Sequence, residues 1–555
     1  MCTVYHEFQI SKNLLHFELY FILEYNFFMR NIEDLLQGIN IGVAVGLALS
    51  DNKTNTLELY KNIMQNSILP TEGLVKNYSE MLSEKADFEF KQQKYDEAVL
   101  KYLDIFKTTK LEKVEYRNIA VCLLELKQIE AAKAFLQLYE EVAPDDFVVQ
   151  KDLGWIYFKS LEDYEKAIYH YEKAIGLSRN DSEVFNILGH VYATYYKDKF
   201  LDKQYEYFYA AYDLKKNNRI YIRNLIYTLF RQKRFAEVED FYAKLLNLNP
   251  EHADYYYYGC YLISQKRFAE GYKYLRHRFE KEGDDKAIIP AVLPTHKSWQ
   301  GESLVGKKIL VHCEQGFGDT IMYSRFVKPL SKLAKKVYFV VQEELFSLIN
   351  SSDLGAEIYS TEFELSKLDY DYFTTTVDLP FYLGLDADNV LLKEGYLKNK
   401  SSLVLNSKNY KIGIAYQGSA VSKRTGRDIT IQELAPLFDI EDVDFYSLQV
   451  DGVELPNNIV DLGKDFQSFD DTAAVIMAMD IIVTTDNAIL NLAGALGKPT
   501  LGLFNRFAEY RWFDIEDGKP LKWYDKVKVF QNNAQDDWKD TIKHVRDEII
   551  ALKRV

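Results

Sequence analysis

KKILVHCEQGFGDT, residues Lys307 to Thr320, decides how the second half of this chain is read. A β-branched, apolar run (Lys307 to Cys313) gives way to a glycine turn and then to a helical stretch reaching about Leu333. VYFVV (Val337 to Val341) follows. That is a β-α-β order, which predicts parallel strands joined by crossover helices. A second such series opens with KIGIAYQG (Lys411 to Gly418) and continues through DFYSLQV, DIIVTT and PTLGLF, with a boundary near residues 395 to 410. Two Rossmann-like halves are expected, spanning 307–400 and 401–555. The stretch Asp536 to Leu552 has helical spacing and is expected to pack back across either half.

Upstream, the grammar changes. Residues 282–306, with Pro290, Pro294, Trp299 and Gly301 and no helical period, read as a linker. Before it, small residues Ala86, Ala120 and Gly154 recur every 34 positions, and Ala98 and Ala132 repeat at the same spacing. A 34-residue period is the mark of helix-turn-helix repeats, in which a small residue lets the hairpin partner approach. LGWIYF (Leu153 to Phe158) and DYEKAIYHYEKAIGL (Asp163 to Leu177) carry the same pattern with one residue inserted, and they resemble the tetratricopeptide (TPR) consensus. A TPR-like array is expected over 79–281, with residues 1–78 as an off-period helical cap.

Composition limits the functions available. The 555 residues are too many for one core, and a multi-domain protein is expected. A net charge of −15 excludes a general nucleic-acid-coating role. The basic stretch between Arg219 and Arg234 reads as a solvated helix face. Cys2, Cys122, Cys260 and Cys313 form no CxxC pair, which fits a reducing cytoplasm and gives neither a disulfide framework nor a zinc site. The apolar run Ile39 to Leu49 is too short to span a bilayer, so no transmembrane segment is expected. Aromatic residues reach 15%, with 42 Tyr, and the first half is rich in Tyr, as ring-on-ring packing of helical repeats would use them.

Three segments carry candidate chemistry. EQGFGDT sets Glu314, Gln315, Gly316 and Gly318 at the carboxyl end of a strand, where open α/β sheets place their ligands, with Asp319 at the helix start. Helix capping is the alternative reading of Asp319. QGSAVSKRTGR offers Gln417, Gly418, Ser419, Lys423 and Arg427 in one loop suited to a diphosphate. TTDNAILNLAGALGKP places Asp486 and Asn487 at a strand tip before a helix rich in small residues, with Asn491 one turn on; capping is again the alternative for Asp486. GESLVGKK (Gly301 to Lys308) imitates a P-loop but precedes its strand and lacks Ser or Thr after the lysine, so it reads as a turn.

From about Trp299 to Trp512 the chain resembles the ADP-heptose:lipopolysaccharide heptosyltransferase group, glycosyltransferase family nine, in the variant with TPR repeats upstream. SWQGESLVGKKILVHCEQGFGDTIMYSRF is the most specific element of that resemblance. It implies a GT-B fold, an α/β module of two Rossmann-like domains following the TPR solenoid. It also implies that Asp319 is a general base, that Lys423 grips donor phosphate with Arg427 helping, and that Asp486 to Pro499 correspond to the DT-x-x-x-H-LAGALGKP signature. Asn487 and Asn491 stand where the family has Thr and His; Asn still donates hydrogen bonds but carries no proton-linked positive charge.

The expected function is therefore inverting, metal-independent sugar transfer. The donor is a nucleotide-sugar, with an ADP-heptose-like one among the candidates, and the acceptor is a protein or glycan held by the TPR groove. No cofactor is expected beyond the co-substrate, and a homo-oligomer is left open. Two alternatives stand beside this: a non-catalytic TPR scaffold with a degenerate transferase module, and a protein transferase resembling the O-linked N-acetylglucosamine transferases.

Overall fold

A computed structural model describes residues 61, 72–280, 293–386, 390, 392–393, 395–418, 426–450, 454–513, 515–532 and 537–554. The off-period segment before residue 72, apart from Lys61, and the run Ile39 to Leu49 lie outside these residues, as do Ser419 and Lys423. Among the described residues no helix is long and apolar enough to cross a membrane. Compact packing divides the chain between Arg234 and Phe235.

The first unit is built of helix hairpins: α1 (Glu72–Lys91) with α2 (Tyr95–Thr108), α3 (Lys113–Glu125) with α4 (Ile129–Val142), α5 (Phe147–Lys159) with α6 (Tyr164–Leu177), and α7 (Ser182–Tyr195) with α8 (Leu201–Leu214). Helix α9 (Arg219–Arg231) closes it. The periodic small residues do what their spacing predicts. Ala86 and Ala120 are buried, and a Cβ on Gly154 would come within 2.9 Å of the Tyr171 ring on the paired helix. In the next hairpin Gly189 faces Phe208 in the same way, at 2.6 Å. The turn inside each of these hairpins is set by a residue with positive φ: Gln93, Lys127, Glu162 and Lys197. The longer step from Lys127 to Glu162 is the inserted residue seen in the sequence. In the basic stretch Arg231 pairs with Asp198, its Nε donating at 2.8 Å. A recess of about 220 Å³ lies among Ala120, Val121, Leu124, Leu136, Asp152 and Trp155.

The second unit starts with one more piece of the array: α10 (Phe235–Leu246), α11 (His252–Ser264) and α12 (Phe268–Leu275). The last two belong with the α/β portion because Ile263, Phe268, Tyr272 and Leu275 share a hydrophobic core with Trp299, Ile309 and Tyr323. The expected linker is also shorter than 282–306. Trp299 is buried, its backbone N–H donates to Phe373 O at 2.8 Å, and Tyr382 stacks on its ring, so residues 298 and 299 extend the sheet edge.

Two parallel sheets follow. In the first, β1 (Lys308–His312), β2 (Lys336–Val341), β3 (Glu357–Ser360) and β4 (Tyr372–Thr375) lie in the order β3-β2-β1-β4. In the second, β5 (Tyr410–Ala415), β6 (Val443–Ser447), β7 (Ile459–Asp461), β8 (Ile481–Thr485), β9 (Thr500–Phe504) and β10 (Val527–Gln531) lie in the order β10-β9-β8-β5-β6-β7. Renumbered within the sheet, that is the order 3-2-1-4-5-6 of the doubly wound dinucleotide-binding fold. The near-continuous apolar strands are those of sheets covered on both faces. The order in which successive strands are added reverses between β1 and β4 in one sheet and between β5 and β8 in the other, and ligands bind outside the strand carboxyl ends at such points.

Three more helices matter below: α13 (Phe317–Ser324) after β1, α14 (Ala488–Leu496) after β8, and α15 (Lys539–Lys553) at the end. The last packs on the second sheet, where Ile542, Val545 and Ile549 join Ile412 and Ile414 in one core. In α14 the small residues exist to admit a ring: a Cβ on Gly494 would lie 2.5 Å from Tyr524 Cγ. Gly494→Ala is expected to destabilise the second unit by about 1–3 kcal/mol, the usual cost of overpacking, read as a lowered urea midpoint.

Candidate functional site

The turn after β1 is not the glycine turn its sequence suggests. Its left-handed residue is Gln315, at φ 67°, while Gly316 has an ordinary φ of −83°. Gly318 is needed for a different reason: helix α13 presses against α14, and a Cβ there would meet Asn491 Nδ2 at 3.0 Å and Ala488 Cα at 3.5 Å. Gly318 thus lies where the two α/β halves pack closely. Asp319 sits on that contact. One carboxylate oxygen caps its own helix, accepting from Gly316 N–H at 3.3 Å, and the other is ion-paired with Arg511. Capping and a charged role coexist in this residue.

Glu314 faces elsewhere. It is 2% exposed and is gripped by Arg278, which follows α12: Arg278 Nε and Nη2 donate to its two oxygens at 2.6 and 2.9 Å. The same Nη2 reaches Asp378 Oδ1 at 2.7 Å and Thr375 Oγ1 at 3.2 Å, both beyond β4 or at its tip. Burial works against the charge on Arg278, but Asp378 and Glu314 outweigh it and raise its pKa. Glu314, expected on an acceptor-side loop, is therefore committed to anchoring that loop.

In the second half, Gln417 and Gly418 leave the tip of β5 with their amides held by Gln449 Oε1 (3.2 Å) and Asp428 Oδ1 (3.0 Å). The loop that follows lies outside the described residues up to Gly426. Arg427 then extends to Asp486 Oδ2 at 3.4 Å and Glu509 Oε1 at 3.1 Å. The cap of α14 is Asn487 and not Asp486: its Oδ1 accepts from Ile489 N–H at 2.9 Å and Leu490 N–H at 3.2 Å. Asn491 is buried, donating to Asn487 O at 3.1 Å and accepting from Tyr524 OH at 2.9 Å. Both asparagine side chains, expected to touch a donor, make their bonds within the protein.

Sequence reasoning passed over the segment after β9. Glu509, Tyr510 and Arg511 belong to the site: Glu509 Oε2 meets Arg511 Nη2 at 2.7 Å, and Arg511 also approaches Gln315 Oε1 at 3.4 Å. A continuous charge chain results, Asp319–Arg511–Glu509–Arg427–Asp486, running from the first half to the second. The signal was available: FNRFAEYRWF (Phe504 to Phe513) packs charge and aromatics into the loop at a strand's carboxyl end. Buried polar atoms without a hydrogen-bond partner gather here, among them Tyr510 OH, Arg511 Nε and Thr320 Oγ1.

Burial pushes Asp486 upward in pKa against the pull of Arg427. Burial does the same to Glu509, with Asp486 adding to it and Arg427 opposing. A carboxyl whose folded pKa lies above its unfolded value binds more protons in the native state, so stability falls as pH rises between the two values. Asp486→Asn removes that penalty. It is expected to raise the melting temperature at pH 8, with the gain shrinking as falling pH protonates the wild-type carboxyl.

No protein-family model matches the chain. It is similar to the protein FlbA of Caulobacter vibrioides, at 23% identity over 326 residues that cover 51% of this chain and 52% of FlbA. The chain thus matches about half the length of that curated relative. Among solved structures, MamA of Desulfovibrio magneticus RS-1 is similar at 17% identity, covering 31% of this chain and 94% of that one, with a TM-score of 0.28. MamA AMB-1 is similar at 17% identity, 31% and 93% coverage, and a TM-score of 0.29.

Proposed function

We propose that the chain is a glycosyltransferase of the GT-B type, in which the second α/β half holds a nucleotide-sugar and the first supplies the base. The observation that carries this reading is the apposition of Asp319 with the arginines and helix start at the second sheet's reversal point. Inverting transfer needs a base for the acceptor proton and positive charge for the departing nucleoside diphosphate. Asp319 would take the proton. Arg427 and Lys423 would meet the diphosphate as its charge grows, beside the positive end of the α14 dipole. The acceptor, a protein or glycan, would lie along the helical repeats, where the recess beside Trp155 is one feature able to receive a side chain.

The test is nucleoside diphosphate release from a panel of ADP-, UDP- and GDP-sugars by the purified protein, with and without candidate acceptors. Release that depends on Asp319 upholds the reading; thermal stabilisation by these ligands without turnover favours the second one. That second reading is a TPR scaffold with a degenerate module, and the engagement of Asn487 and Asn491 within the protein favours it.

A further inference from the structure

Arg511 occupies a position that neither the motifs nor the resemblance assigned. Its guanidinium lies between two carboxylates, Asp319 from α13 and Glu509 from its own loop, and its side chain is largely buried. Arg427 repeats the arrangement between Glu509 and Asp486. Three carboxylates therefore share two guanidiniums, and Nε of Arg511 is buried without a hydrogen-bond partner. A planar fork with an unused donor, at the carboxyl edge of a sheet in the doubly wound order, is suited to bidentate capture of a phosphate. The same fork, while it holds Asp319, keeps that carboxylate from any acceptor hydroxyl.

We propose that Arg511 is a diphosphate-binding residue that exchanges partners: its pairing with Asp319 gives way to a bound nucleoside diphosphate, which takes the guanidinium over and frees the carboxylate. This rests on the transferase reading of the same group of residues and adds a binding residue and an order of events to it. The donor must arrive first, because only its phosphates release Asp319 for the acceptor. No bond is made or broken in the exchange; one ion pair replaces another.

Titration calorimetry with ADP, UDP and GDP on the full chain tests it, with nucleotide-sugar turnover scored in parallel. If that pairing holds nine molecules in ten, Asp319→Asn, which removes the competitor, tightens the nucleoside diphosphate about tenfold. Arg511→Gln weakens it by at least as much, and Asp319→Asn has no further effect in the Arg511→Gln background. Arg511→Lys, which keeps the buried charge, guards against a variant that fails to fold and is expected to fall between the two. Unchanged or weaker binding by Asp319→Asn overturns the exchange, as does undiminished binding by Arg511→Gln. Turnover with a flat cycle sinks the exchange and leaves the transferase, while the expected cycle without turnover does the reverse.

Discussion

Arg278→Ala is expected to cost the second unit about 3–5 kcal/mol, the range for removing one partner of a buried ion pair. Glu314 would be left in the interior with Thr375 to answer it, and Asp378 with only the longer contact to Arg276 Nε at 3.7 Å. The site would suffer with the fold, since Glu314 begins the turn that carries Asp319. Chemical denaturation followed by tryptophan fluorescence should show the transition of the second unit moved to lower urea, because Trp299, Trp512 and Trp523 lie in its core. Replacing Arg278 by Met together with Glu314→Gln and Asp378→Asn is expected to be less damaging than Arg278→Ala alone, because no charge is then stranded. A triple variant as unstable as the single one would show that the network acts through shape and not through charge.

Asp319→Asn is expected to lower transfer by about a hundredfold or more, the usual contribution of a general base. The isosteric amide can still accept from Gly316 N–H, so the helix start survives. It cannot take a proton. The loss should therefore fall on kcat while donor affinity is kept or improved, which distinguishes a chemical role from damage to the fold. A variant that retains full turnover would remove Asp319 from the chemistry.

Much of the architecture was legible because it rests on periods. The 34-residue recurrence of small residues marks where a ring from the paired helix arrives, as Gly154 and Tyr171 show, and the β-α-β order of apolar runs foretold two parallel sheets. What stayed hidden depends on contacts between residues far apart in the chain. Nothing near Arg278 in the sequence announces Glu314 and Asp378, so the repeat pattern does not show that the last hairpin shares its core with the α/β portion. The candidate site divides in the same way. Asp319, Arg427 and Asp486 were legible from their places at strand tips. Arg511 is marked only by the clustered charge and aromatics of the loop after β9, a weaker sign than the glycine turns and capping residues that mark the others. Asn487 and Asn491 looked like ligand donors because a motif position says what a residue type can do, not which bonds it has already made.

The hairpin of α11 and α12 also bears on how the chain is made. Phe268 meets Phe513 with ring centroids 4.6 Å apart, and Arg278 waits for Asp378. A ribosome adds roughly 5–20 residues per second, so the part of this face that meets Phe513 stays uncovered for on the order of tens of seconds after it emerges, while the earlier hairpins need only their neighbours in sequence. The vulnerable moment of biosynthesis falls there, and chains that stop before Phe513 should be the ones that aggregate or engage chaperones.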